Sequence, residues 1–148
     1  MSGPIHIHWF RQDLRLADNP ALSAAASAGS VLPVYILDDI HVGDRRMGEA
    51  SRWWLHHSLT ALDKALGGKL VVMAGDPAKI LPHLAVTTSA KAIHWNRAYE
   101  PWRITRDAKI KTLCADRGLK AQSYNGSLLW EPWEVLKKDG TPYKVFTP

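Results

Sequence analysis

The sequence predicts an α/β domain in which a doubly wound, five-stranded parallel sheet of Rossmann-like type carries helices on both faces. Short apolar runs alternate with helical patterns, and this alternation gives five β-α units along the chain. The runs are apolar throughout, without the alternation of a half-exposed strand, which is typical of strands covered on both faces. A chain of 148 residues suits one such domain.

The first strand and helix carry clear local signals. Residues 4–9 combine β-branched and aromatic side chains and end at a charged turn. Asp18 or Asn19 then provides an N-cap, and Pro20 suits the first helical turn. The alanine-rich run that follows ends at Gly29. Together these features predict one β-α unit.

The second unit combines a strand with a longer helix. Residues 31–37 form the next apolar run, and a polar loop over residues 40–48 separates it from a helical pattern over residues 50–66. Leucines recur along this helix at a spacing that places them on one buried stripe. They are Leu55, Leu59, Leu62 and Leu66. Gly67 and Gly68 end the helix.

The remaining units repeat the pattern. Gly75, Asp76 and Pro77 supply a turn, a helix cap and a first-turn proline in succession. The predicted elements are a strand over 70–73, a helix from 77 to 84, a strand over 91–95, a helix over 101–116 and a strand over 119–124. After Asn125 the periodicity ends and an irregular, proline-containing tail begins.

Composition and charge limit the class of protein. Hydrophobic residues make up 46% of the chain, which has one cysteine, and 19 basic against 14 acidic residues give a net charge of +5. These values predict a globular protein without an internal disulfide, for which the cytoplasm is the expected compartment. We expect no membrane span and no secretory signal. The modest positive charge is compatible with nucleic-acid binding but does not indicate it.

Familiar catalytic and phosphate-binding motifs are missing from the sequence. Bulky and charged residues at 9–13 replace the glycine-rich loop of a dinucleotide-binding fold. A free-standing nucleotide-binding module of another class stays an open alternative. His6 and His8 lack a third ligand, which favours structural histidines over a metal site. Cys114 lies on the apolar face of the last helix, which favours a buried, inert thiol. We therefore expect neither catalytic nor metal-binding residues.

Four ordered segments of the sequence resemble the DNA photolyase/cryptochrome family. The first is WFRQDLRLADNPAL, residues 9–22, at the end of the first strand. The others are GDP at 75–77, NRAYEP at 96–101 followed by Arg106-Asp107, and GTPYKVFTP at 140–148. The resemblance covers essentially the whole chain. The first segment and the compact loops look most like those of a bacterial deoxyribodipyrimidine photolyase.

The resemblance implies a domain organisation and a function. Residues 1–126 correspond to the family's α/β antenna domain, and residues 127–148 to the start of a linker that leads to a helical FAD domain. We expect that helical domain to be absent from this chain. In the parent enzyme, a carbon–carbon lyase, light-excited FAD splits pyrimidine dimers in DNA. This segment alone is therefore expected to be inactive and monomeric. A cryptochrome-type blue-light photoreceptor is the alternative.

The family's α/β domain binds an antenna chromophore, either a folate (methenyltetrahydrofolate) or a deazaflavin. The familiar folate site contains an Asn-Glu pair, for which this chain has Trp102-Arg103. The resemblance therefore points to a second pocket, at the rim of the second and fourth strands. Ala98 stands where some deazaflavin binders have an aspartate, which favours a folate there. The matching residues are Tyr35, Ile36, Leu37, Arg52, Trp53 (or its neighbour Trp54) and Glu100.

Overall fold

The computed structural model describes residues 3–143 and contains the predicted alternation of strands and helices. Every strand of the sheet is parallel to its neighbours. The elements are β1 (Ile5–Phe10), α1 (Pro20–Ala28), β2 (Ser30–Leu37), a single 3-10 turn (Gly43–Arg45), α2 (Glu49–Ala65), β3 (Val71–Ala74), α3 (Pro77–Thr87), β4 (Ala92–Asn96), α4 (Pro101–Ala115) and β5 (Lys120–Tyr124). The predicted fold class is therefore confirmed.

The strands lie in the order β3-β2-β1-β4-β5, with β1 at the centre. In register, Ile7 of β1 lies opposite Leu32 of β2 on one side and Ile93 of β4 on the other. The chain first winds outward from β1 to β3 and then crosses back to β4. The direction of winding therefore reverses between β1 and β4, which is the topological switch point of the sheet.

Side chains that alternate along the central strands divide the core into two layers. Trp9 of β1 points toward the layer built with α3 and α4, and its neighbour Phe10 points toward the layer that contains Leu62 of α2. Large, fully buried residues dominate the first layer: Ile7, Trp9, Leu81, Ile93, Trp95 and Ile110. Cys114 is buried in this layer, as predicted. The leucine stripe of α2 packs in the second layer, which confirms its prediction.

Capping residues and one close contact fix where the first helix begins and ends. Asn19 Oδ1 accepts a hydrogen bond from the backbone N–H of Leu22 at 3.1 Å, and Pro20 opens the helix. At the other end, a Cβ atom added to Gly29 would lie 2.1 Å from the carbonyl oxygen of Pro4. Glycine is therefore required by the close approach of these two backbone segments.

The segment after β5 is irregular but attached to the domain. Glu131 is buried and accepts hydrogen bonds from Arg97 Nε at 2.5 Å, Arg97 Nη2 at 2.7 Å and the Tyr99 hydroxyl at 2.5 Å. These contacts hold the segment against the loop between β4 and α4. Residues 144–148, at the end of the predicted linker, lie outside the described residues. No helix within residues 3–143 has the length and hydrophobicity needed to cross a membrane.

Candidate functional site

A cleft of about 1260 Å³ opens at the carboxyl-terminal edge of the sheet. Residues that end β1 and β2 line it, together with side chains from the loop before α2, from α2 and from the first turns of α4. Open parallel sheets bind ligands at this edge. The position and size of the cleft make it the candidate site.

The switch point between β1 and β4 is occupied by the protein's own polar side chains. Asn96, which ends β4, donates from Nδ2 to Asn19 Oδ1 at 2.8 Å and to a carboxylate oxygen of Asp13. Its Oδ1 accepts a hydrogen bond from the backbone N–H of Ala21 at 3.1 Å, and its backbone carbonyl accepts one from Arg11. Because these contacts occupy the switch point, the cleft lies beside it, over β1 and β2.

A buried ion network joins the strands to α4 beside the cleft. Asp107 accepts from Arg11 Nη1 at 2.6 Å and from Arg106 Nη2 at 2.9 Å. Arg106 Nη1 also lies 2.9 Å from Asp38 Oδ2. Both guanidinium groups lie over the ring of Trp9, with their carbon atoms 5.1 Å and 4.8 Å from its centroid. The network therefore fixes the position of the cleft wall formed by α4 relative to β1 and β2.

Asp38 stays ionised within this network despite its burial. Burial alone would raise the pKa of its carboxyl group, but hydrogen bonds from the backbone of His41, from Arg106 and from the His41 ring outweigh that effect and lower the pKa. The His41 ring nitrogen Nδ1 lies 2.9 Å from Asp38 Oδ2. The carboxylate therefore balances the charge of Arg106 at neutral pH.

Arg103 is a cation of the cleft that is paired only loosely. Its Nε atom is buried and has no hydrogen-bond partner within residues 3–143. The one carboxylate oxygen within 4 Å in that range, Glu100 Oε1, lies 3.6 Å away. The guanidinium group lies over the ring of Trp102, 4.8 Å from its centroid. Burial lowers the pKa of Arg103, the charge of Glu100 opposes this, and the charge of Arg106 lowers the pKa further.

Three of the predicted site residues line the cleft together. Tyr35, Ile36 and Leu37 form the end of β2 and contribute to its surface. Burial raises the pKa of the Tyr35 hydroxyl, and the nearby charge of Arg103 opposes that shift. Tyr35 and Arg103 are therefore neighbours in the same part of the cleft.

Two further predicted residues, Arg52 and Glu100, do not line the cleft but contact residues that do. Arg52 donates from Nη2 to Asp39 Oδ2 at 2.7 Å and from Nε to the carbonyl oxygen of Met47 at 2.9 Å. Glu100 Oε1 accepts a long hydrogen bond of 3.4 Å from Gln12 Nε2. Arg52 already has strong partners, whereas Glu100 is held loosely and half exposed.

The two adjacent tryptophans of α2 differ in their relation to the cleft. Trp54 lines it and is 70% exposed. Trp53 is instead packed edge-on against His57, with ring centroids 4.4 Å apart, and does not contribute to the lining. Of the two stacking partners considered in the sequence, the structure thus favours Trp54.

The structure shows how the second and fourth units both reach the cleft. A pocket was expected at the rim of the second and fourth strands; β1 lies between β2 and β4, and α4 brings the fourth unit to the cleft. Sequence reasoning gave no ligand-binding role to Trp102, Arg103 or Arg106, although all three line the cleft. For Trp102 and Arg103, the sequence signal was the departure from the Asn-Glu pair, which puts an aromatic and a cationic residue at the helix start.

Comparison with known proteins assigns the chain to a family. The model of the family described as DNA photolyase matches residues 6–148. The chain belongs to the DNA photolyase family. The deoxyribodipyrimidine photo-lyase of Agrobacterium fabrum is 45% identical over 146 residues, which are 96% of this chain and 30% of that protein. Cryptochrome-2 of Arabidopsis thaliana is 43% identical over 145 residues, 95% of this chain and 24% of that protein.

A solved structure agrees with this membership. The bacterial class III photolyase from Agrobacterium tumefaciens superposes with a TM-score of 0.85 at 43% identity, covering 99% of this chain and 30% of that one. The chain thus spans about a third or less of the photolyases and the cryptochrome that it matches. The likeness confirms the fold and the family on which the sequence prediction rested.

Proposed function

We propose that this chain is the antenna-chromophore domain of a light-driven DNA-repair enzyme that splits pyrimidine dimers with FAD. The observation that supports the proposal best is the cleft, since it combines apolar walls, exposed and half-buried aromatic rings and a loosely paired cation. Sites for planar cofactors have this composition, with mostly apolar lining and a few polar groups that set orientation.

The residues of the cleft fit a planar chromophore. Ile36 and Leu37 offer an apolar surface, and the Trp54 indole can stack on a ring. Tyr35 can donate a hydrogen bond from its hydroxyl group, since a phenol is protonated at neutral pH and burial raises its pKa further. A folate such as methenyltetrahydrofolate is our first candidate and a deazaflavin our second. When bound, such a chromophore would absorb light and pass the excitation to the flavin.

Glu100 and Arg52 complete the proposed site. The half-exposed Glu100 carboxylate can accept a hydrogen bond from a ring N–H or amino group. Arg52 can reach an anionic substituent only if it leaves Asp39, its partner at 2.7 Å. We therefore assign Glu100 the larger contribution to binding.

We propose that FAD and pyrimidine-dimer DNA bind to the helical domain that the family resemblance implies. No catalytic role is assigned to residues 3–143. We also propose a monomeric protein of the cytoplasm, for which the burial of the single cysteine, Cys114, is the supporting feature. Light scattering of the purified protein tests the monomer, and localisation of a tagged chain tests the compartment.

A blue-light photoreceptor is the second candidate function. The observation in its favour is that identity to the plant cryptochrome, 43%, is nearly the same as identity to the bacterial photolyase, 45%. Repair of a dimer-containing oligonucleotide under near-ultraviolet light, measured on the protein with its helical domain, distinguishes the two. Repair supports the enzyme, whereas a flavin photocycle without repair supports the photoreceptor.

Absorbance titration with methenyltetrahydrofolate and with an 8-hydroxydeazaflavin tests the antenna site. Loss of one charge-assisted hydrogen bond in Glu100→Gln should weaken binding by about ten- to a hundred-fold. Glu49→Gln is the matched control, because Glu49 also carries a carboxylate at a helix start but, unlike Glu100, forms no hydrogen bond or ion pair with a lining residue within residues 3–143. If neither ligand binds the wild type, the antenna proposal is wrong. If both glutamate variants bind alike, Glu100 is only a helix-end charge.

The adjacent tryptophans give a second test of the same site. Trp54→Ala should weaken chromophore binding by about two- to ten-fold, which corresponds to the loss of one aromatic stacking contact. Trp53→Ala should have the smaller effect, because that indole packs on His57. A larger loss in Trp53→Ala would show that the ligand lies outside the described cleft.

A further inference from the structure

Arg103 stands at a place in the fold where a cation is unfavourable. It is the third residue of α4, which begins at Pro101. The first turn of a helix has a positive partial charge, so a cation there is repelled by the helix itself. Arg106 lies one turn further along and adds a second repulsion. Nothing in the local sequence therefore favours an arginine at this position.

Burial increases this cost, and the long ion pair with Glu100 offsets it only in part. The Arg103 side chain is only 17% exposed, and its guanidinium group donates no hydrogen bond to any residue of the described range. Its neighbours Arg11 and Arg106 are each bound to a carboxylate at 2.6–2.9 Å. Buried cations are normally paired in this way, whereas the one ion-pair contact of Arg103 within residues 3–143 is the 3.6 Å approach of Glu100, which leaves room for a closer anionic partner.

The surroundings of Arg103 also hold its guanidinium group in a defined place. The group lies over the Trp102 ring, 4.8 Å from its centroid, and lines the same cleft as Tyr35. A guanidinium group that is fixed on an aromatic face presents a planar set of donors, which suits a carboxylate or a phosphate. The geometry therefore selects an anionic oxygen rather than a neutral carbonyl.

We propose that Arg103 is the anion-binding residue of the cleft and that its ligand carries a carboxylate or a phosphate beside its planar ring. This inference rests on the proposed antenna function, since it names the feature by which the same site selects its ligand. It adds to that function a specificity rule: an anionic chromophore binds better than its uncharged counterpart.

Pairs of ligands that differ in one anionic group test this rule. Riboflavin and its 5′-phosphate differ by a phosphate, and a folate and its glutamate γ-monomethyl ester differ by one ionised carboxylate. In at least one pair, the wild type should bind the anionic member about ten- to a hundred-fold more tightly. The pair that shows the preference identifies whether a phosphate or a carboxylate is the anion.

Substitutions then test whether Arg103 causes the preference for the anionic ligand. Arg103→Gln should abolish it, and Arg103→Lys should retain part of it as a point charge. Arg117→Gln is the matched control, because Arg117 is an exposed arginine just beyond the other end of α4 that caps the carbonyl of Leu113 at 2.8 Å. An unchanged preference in Arg103→Gln overturns the inference while leaving the antenna proposal intact.

Thermal melting with inorganic phosphate separates this inference from the antenna proposal. Phosphate should raise the melting temperature of the wild type and of Arg117→Gln, and its effect should vanish in Arg103→Gln. If no chromophore binds but this pattern holds, the antenna proposal fails and the anion site stands. A phosphate effect that is equal in all three proteins, or absent from the wild type, overturns the anion site.

Discussion

Acidification should destabilise this protein through one buried histidine, His8. The His8 side chain is 1% exposed, lies edge-on to Phe10 and has its Nε2 atom 3.4 Å from Asn19 Nδ2. Its Nδ1 atom has no hydrogen-bond partner among residues 3–143. Burial, with a smaller contribution from the charge of His94, lowers the pKa of His8 from 6.5 to about 3. The folded state therefore keeps this imidazole neutral at pH values where the unfolded chain would protonate it.

The size and sign of the effect follow from the two pKa values. Between pH 6.5 and pH 3 the unfolded chain binds a proton at His8 that the folded protein does not bind. The contribution of His8 to stability is therefore fully present above pH 6.5 and is lost progressively as the pH falls. Linkage gives a loss of about 2 kcal/mol at pH 5 and about 3 kcal/mol at pH 4, relative to pH 8.

Urea denaturation at pH 8 and pH 5 measures this loss in the wild type and in His8→Gln. Other titrating groups contribute nearly equally to both proteins, so the difference isolates His8. The wild type should lose about 2 kcal/mol more than the variant between the two pH values. In the folded wild type, the NMR signal of the His8 ring should not shift between pH 8 and pH 5. A ring that titrates near pH 6.5 while the protein is folded would refute the reasoning.

Two further predictions concern the framework of the fold. Asp107→Asn removes the carboxylate shared by two buried guanidinium groups and should lower the free energy of unfolding by about 3–5 kcal/mol in urea denaturation, because it leaves buried charge unpaired. Asp116→Asn, at the exposed end of the same helix, should change the free energy of unfolding by less than about 0.5 kcal/mol. If Asp107→Asn and Asp116→Asn lose equal stability, the ion network is contradicted. Gly29→Ala should cost about 1–3 kcal/mol or more in the same assay, because its Cβ would meet a backbone oxygen at 2.1 Å. Gly3→Ala is the control, because a Cβ atom added there would have its nearest neighbour at 3.6 Å. If the Gly29→Ala and Gly3→Ala proteins are equally stable, the close approach at Gly29 is excluded.

The order of strands and helices was predictable because its signals are local. The Asn19-Pro20 and Asp76-Pro77 pairs place a cap and a first-turn proline in adjacent positions, and the structure shows both caps accepting hydrogen bonds. The leucine stripe of α2 is likewise a matter of spacing along one helix. Strand order is different, because no local signal states that β1 separates β2 from β4.

The candidate site was predictable only in part. The strand residues Tyr35 to Leu37 were correctly expected at the sheet edge, because consecutive residues at a strand end stay together. Trp53 and Trp54 lie about 100° apart around a helix axis, so which one faces the cleft depends on packing that a sequence does not encode locally. The weak pairing of the buried Arg103 Nε could not be foreseen, since its burial in the cleft depends on residues distant in sequence.

The buried tryptophan pair gives this protein an optical probe of its own core. Trp9 and Trp95 are almost completely buried, and their ring centroids lie 5.8 Å apart at an interplanar angle of 65°. The two guanidinium groups of the ion network lie over the Trp9 ring. The indoles at positions 53, 54, 130 and 133 are all more than half exposed. Emission from the buried pair should therefore lie to the blue of emission from the exposed indoles, and an iodide quencher should remove only the latter. A chromophore in the cleft that absorbs at the wavelengths where indoles emit would quench the buried pair by resonance transfer, so the fluorescence spectrum alone would report when the cleft is filled.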